Sequence, residues 1–258
     1  MNQPVAIEST MKPADAIRTA IAEVASLRAV AENNPALERA LGELKALQAS
    51  RFASTYSDFL KTPLHGPATR FFLNDLYGNV DYRDRDRQFS RIAGSLQSFF
   101  PGQVVATAVA LAELHAQTEQ LDHAMAKAWL RQSEETTAAN RYVACWRVVG
   151  ATSERHQQLE AVIRIGQELD SLTRTPGLRM TLRMMRGPAM IAGLSALQGF
   201  LEKGFDTFAG MSQSPNGTSQ FLSTIRTRET QWIATLFEGS SEGAALALAK
   251  SLRNVEGK

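Results

Sequence analysis

Phe71-Phe72-Leu73-Asn74-Asp75-Leu76-Tyr77-Gly78 crowds aromatic and aliphatic side chains around one acid and closes on glycine. At about 100° per residue, Phe72, Leu73, Leu76 and Tyr77 share a broad apolar arc, and Arg70 and Asn74 share the polar side. Asp75 falls between Phe71 and Phe72, in line with Ala68. A carboxylate there is expected to be partly buried, so it needs a partner or a shifted pKa. Two roles are open to it. It pairs with an arginine and fixes how this helix docks, or it serves as a ligand-binding or proton-transfer acid, with Tyr77 beside it.

Working outward, the flanks are helical too. Ile17, Ile21, Val24 and Leu27 recur at three and four, with Pro13 near a helix start. Leu37, Leu41, Leu44 and Leu47 lead into Phe52, Tyr56, Phe59 and Leu60 as one long helix, stopped by the prolines at 63 and 67. Asp81 to Arg87 alternates acid and base and reads as a solvated linker entering the next helix. Gln103 to Leu130 is the longest clear helix. Further helices are expected from Ser133, from a Ser153 N-cap, from Leu178 to Arg186, from Ala189 to Met211, and around Phe221 to Phe237. No strand pattern and no repeat at about 20–50 residues intervenes. The expectation is an all-α, bundle-like fold of about nine to eleven helices in one domain over residues 13–239. Residues 1–12 are expected to lack fixed structure, and the alanine-rich segment 240–258 is expected to fray.

Bulk properties exclude several classes. The 258 residues carry a net charge of +2, which gives no global argument for nucleic acid. A single cysteine, Cys145, precludes an internal disulfide and fits a reducing compartment. No secretory leader and no uninterrupted apolar run of about 18 residues occurs, so a cytoplasmic location is expected. No phosphate-binding glycine loop, CxxC pair, HExxH or nucleophile elbow is present.

Two constellations remain. On the long helix His115, Glu119, Asp122 and His123 share one stripe with Val104, Ala108, Leu111 and Ala126. Imidazole and carboxylate four residues apart can share a metal, although a di-iron bundle would want Glu-x-x-His pairs on two helices. The alternative is a satisfied polar layer between helices. Farther on, no acid occurs between Asp170 and Glu202, where Arg179, Arg183 and Arg186 form a narrow stripe flanked by Leu178, Leu182 and Met185, and by Met180 and Met184. Those arginines can pair with acids such as Asp75 or Asp170, hold an anion, or meet an anionic membrane surface.

The octet resembles the signature of the FFLEELY-motif proteins, a bacterial family with no established function. The likeness extends through Asp81 to Arg91, the run Leu182 to Ala189, and Phe200 to Phe205, and so spans about Ser50 to Phe237. Asn74 and Asp75 stand where the family name has two glutamates, so only the second acid is kept. The resemblance implies no activity. The expected class is a non-catalytic binding or interaction module whose cofactor, if any, and whose protein or small-ligand partner are unknown. The alternatives are an enzyme or carrier with a polar pocket among the helices, using His115, Glu119, Asp122 and His123, and a peripheral membrane protein acting through residues 178–201.

Overall fold

Proline at a first helical position and a side-chain cap start the chain's early helices. The computed structural model describes residues 11–76 and 82–256, and Pro13–Glu32 (α1) and Pro35–Thr55 (α2) both begin on proline. Asn34 caps α2 by accepting from the Leu37 amide at 3.2 Å. Ser57–Leu60 (α3) and Gly66–Phe71 (α4) are short. Then follow Arg83–Ile92 (α5), Leu96–Phe99 (α6), Gly102–Trp129 (α7), Ala138–Val149 (α8) and Thr152–Thr173 (α9). Leu178–Met184 (α10), Arg186–Ile191 (α11), Ser195–Ser212 (α12), Gly217–Phe237 (α13) and Ser241–Glu256 (α14) complete the order. The fold is all-α, and nine of these helices run ten residues or more among the described residues.

The 28-residue α7 is the axis. It is flanked by α1, α2, α8 and α9, while α12 and α13 pack on α9, and α14 closes against α2 and α8. Four apolar clusters form around this axis. One joins α2, α7, α8 and α14 through Leu44, Met125, Tyr142 and Leu248. A second joins Phe59, Ala68, Ile163, Phe208 and Phe221. The third sets Ile17, Ile21 and Val24 of α1 against Val105 and Ala112 of α7, so α1 is an integral wall. The fourth and smallest sets Leu172, Leu178, Leu182 and Phe205 together. Full burial of a Leu, Ile or Phe contributes about 1.5–3 kcal/mol relative to exposure, so these clusters supply the main cohesive force.

Several local expectations are corrected. The octet is not a continued α-helix: α4 ends at Phe71, and Phe72–Leu76 is a π-helical turn. Tyr77 and Gly78, like Asp81, lie outside the described residues. The long helix expected through Leu60 breaks at Tyr56. Helix α8 starts five residues beyond Ser133: Thr137 caps it by accepting from the Asn140 amide, while Ser133 accepts from the Glu135 amide in the preceding turn. Helix α9 starts from Gly150 and Ala151, whose φ angles of 72° and 46° turn the chain sharply, and Ser153 is not its cap. Residues 189–211 form two helices, divided at Gly193 with φ 66°. Residues 241–256 are helical rather than frayed, since Ala244, Ala245 and Leu248 are buried. The supposed solvated linker enters α5 at Arg83 and buries Asp86 to 3 % exposure.

Candidate functional site

A cavity of about 320 Å³ lies where the four clusters meet, lined by Ile21, Tyr142, Phe221 and Leu182, one from each, among many others. The π-helical turn contributes Phe72, Leu73 and Leu76 to its wall. Phe71 lines it too, buried and stacked on Phe200 with centroids 5.5 Å apart. Gly204 of α12 permits this approach, since a Cβ there would stand 3.1 Å from Phe71 Cζ. The octet is therefore a wall of the cavity through its apolar members.

Its acid faces elsewhere. Asp75 pairs with Lys203 Nζ of α12 at 2.5 Å, and its carbonyl accepts from Arg85 Nη1 at 2.7 Å. The expected arginine partner of the carboxylate is thus a lysine, in an ion pair that lacks hydrogen-bond geometry. Asp75 does not line the cavity.

Polar groups also line the cavity, and most of them are paired. From α2, Lys45 Nζ reaches Glu119 Oε1 at 2.7 Å and Gln48 Nε2 donates to Asp122 Oδ1 at 3.2 Å. From Glu43, which accepts from Trp129 Nε1 at 3.0 Å, to Gln48 at Asp122, the contacts on α7 recede as α2 advances, so the two helices run antiparallel here. One turn on, Arg51 Nη1 donates to both Glu229 oxygens at 2.9 Å, and Tyr56 adds its hydroxyl at 2.8 Å. A third knot joins α1, α5 and α7. Asp86 accepts from Arg28 Nη2 at 2.7 Å, from His115 Nε2 at 3.1 Å, and from Arg85 Nη2 at 3.2 Å. Buried charges require such partners.

The protonation consequences differ among the acids. Burial pushes Asp86 up, but the His115 hydrogen bond and the Arg85 and Arg28 charges prevail and hold its carboxyl down at about 2. For Glu119 burial is likewise outweighed, by Lys45, and the net direction is downward. Asp122 goes up, because its 1 % exposure dominates and Gln48 offers only one neutral donor. Burial pushes His123 down.

The stripe on α7 therefore faces inward, with Glu119, Asp122 and His123 buried. His115, Glu119 and Asp122 line the cavity, whereas His123 does not, and its Nδ1 has no hydrogen-bond partner among the described residues. The four side chains do not converge on a point, because each of the first three faces its own partner. Among the described residues no group of three His, Cys, Asp or Glu side chains is placed to hold a metal.

The arginine stripe lies on the outside. Arg179 pairs with Asp206 at 2.8 Å, and Arg186 Nε donates to Glu202 at 2.7 Å. Neither Asp75 nor Asp170 takes them, since Asp170 is held by Arg174, Ser212 and Thr218. Arg183 is exposed. Met180, Met184, Met190 and Ile191 of α10 and α11 are also exposed, so this segment is not the buried helix that pairing inside the core would make.

Sequence reading passed over Asp86, Arg51, Glu229, Arg155 and Trp146 as site residues. Their signal was helical spacing. Arg51 follows Leu44 and Leu47, Glu229 follows Leu222 and Ile225, and Arg155 precedes Leu159 and Ile163, each on an inward stripe.

Fold and site together define an all-α domain built around a cavity whose lining includes buried ion pairs. The chain belongs to the family described as "Domain of unknown function (DUF8198)", whose model matches residues 27–243. No curated protein and no solved structure matches the chain.

Proposed function

We propose that this chain is a non-catalytic binding module that takes a small, largely apolar molecule into the cavity among its helices. One observation carries the reading. An interior space of about 320 Å³ is lined mainly by aliphatic and aromatic side chains, with a smaller set of polar and charged groups among them. Ligand sites have this composition and begin at about 300 Å³. The FFLEELY-type octet supports membership of that bacterial group and gives the wall residues Phe72, Leu73 and Leu76, though it adds no activity. The single buried Cys145 is in keeping with a reducing, cytoplasmic setting.

The test is titration of the full chain with 1-dodecanol, followed by native mass spectrometry and calorimetry. Saturable binding at one equivalent is expected. Ala108→Phe, which places a ring in the cavity from α7, is expected to abolish binding while the helical circular dichroism is retained. No saturable binding by the wild-type chain refutes the reading.

A second reading has its own observation. Arg183 is exposed among Met180, Met184, Met190 and Ile191, a pattern suited to the surface of an anionic bilayer. Among the described residues no helix is long and apolar enough to cross a membrane, so contact would be peripheral. Co-sedimentation with phosphatidylglycerol vesicles, lost in Arg183→Ala/Met184→Ser, is the expected result. Equal sedimentation of both proteins removes this reading.

A further inference from the structure

The cations that line the cavity are not equivalent. Lys45, Arg51 and Arg85 each have a carboxylate within 3.2 Å. Arg155, in the first turns of α9, is 6 % exposed and makes no ion pair among the described residues. Its Nη1 donates to Gln158 Oε1 at 3.2 Å, and its Nη2 is buried with no acceptor among the described residues. Asp122 attracts it only at longer range and is engaged by Gln48. The guanidinium carbon stands 4.3 Å over the Trp146 ring of α8, which fixes its plane. Trp146 Nε1 is a second buried donor without an acceptor among the described residues. Both side chains line the same cavity.

Two orphaned N–H donors from different helices, one of them charged, form a subsite that lacks only an acceptor. Buried donors in folded proteins are satisfied in all but a few cases. Extending the cavity reading above, on which this step rests, we propose that Arg155 and Trp146 bind the carboxylate head of a monoanionic amphiphile whose tail runs along the apolar wall. A carboxylate has two oxygens and can accept from Arg155 Nη2 and Trp146 Nε1 together. A dianionic head such as a phosphate monoester is disfavoured, because Asp122 and Glu229 line the same space and one unpaired cation balances one charge. Leu159 and Val162, one and two turns along α9 from Arg155, continue the wall in apolar character.

The probes are sodium dodecanoate and 1-dodecanol, which share a tail and differ in the head. Calorimetric titration of the full wild-type chain is expected to give at least tenfold tighter binding of the acid. Arg155→Met keeps much of the volume and removes the charge, so it is expected to bring the acid-to-alcohol affinity ratio to within about twofold of one. Trp146→Phe keeps the packing and removes one donor, and it is expected to reduce the preference without abolishing it. Equal affinity of the wild-type chain for acid and alcohol overturns the carboxylate subsite while leaving the cavity reading intact, and it needs no variant. An unchanged preference in Arg155→Met also overturns it. Binding of neither probe sinks the cavity reading and this subsite with it.

Discussion

Replacing Glu229 by alanine removes the acceptor of two buried donors at once. Arg51 is 6 % exposed and donates to both carboxylate oxygens, and Tyr56 is 6 % exposed and donates to one of them. Breaking a buried ion pair from one side costs about 3–5 kcal/mol, because the remaining charge is stranded. The orphaned Tyr56 hydroxyl moves the estimate toward the upper end. At about 2–4 °C per kcal/mol for a domain of this size, the midpoint of thermal unfolding should fall by roughly 10–15 °C. The internal control is Glu160→Ala, which breaks the exposed Arg226 pair at 2.7 Å and should cost under about 1 kcal/mol. Glu229→Gln keeps an acceptor oxygen and should lie between the two. Differential scanning calorimetry and urea titration of the three variants decide it. If Glu229→Ala costs no more than Glu160→Ala, the premise that the cavity's ion pairs are stranded by single removal is wrong.

Asp86 gives a pH-dependent counterpart. Its folded carboxyl sits at about 2 against an ordinary 3.8, so it contributes about 2 kcal/mol that is present above 3.8 and lost as the pH falls through about 2. Asp86→Asn should therefore be less stable than wild type at pH 7, with the gap narrowing by pH 2.5 in urea titrations. A gap that stays constant across that range excludes the carboxylate as its source. On α12, Gly199 has open space at its Cβ, whereas a Cβ at Gly204 meets Phe71 at 3.1 Å. Gly199→Ala should stabilise by up to about 1 kcal/mol, and Gly204→Val should destabilise by about 1–3 kcal/mol through overpacking. Unfolding midpoints that rank the pair the other way would contradict the described approach of α12 to the octet.

The helical class was legible because apolar side chains recur at three and four along nearly every segment, and α1, α7 and α13 were readable as helices on that basis. The inward stripe of Glu119 and Asp122 was legible for the same reason: helical spacing fixes a face whatever the neighbours are. Partners were not legible. Lys45 meets Glu119 across 74 residues of chain and Arg51 meets Glu229 across 178, and nothing local encodes such pairings. Asp86 was misplaced because an alternating charge run looks solvated until α1 and α7 close over one of its members. The π-helical turn was hidden because the wheel assumes a constant angle per residue, and a wider turn redirects Asp75 toward Lys203. Arg155 and Trp146 each look ordinary alone, and only their meeting across α8 and α9 leaves two donors without acceptors.

The polar contacts between α2 and α7 carry one mechanical consequence. Lys45 with Glu119 and Gln48 with Asp122 act like two pins through one seam. Sliding either helix along the other by one residue would pull both pins and bare charge in a nonpolar interior. That wall of the chamber is therefore stiff. Any change of its volume on filling falls to other walls, of which the seam of α10 and α12 rests on the smallest of the four apolar clusters.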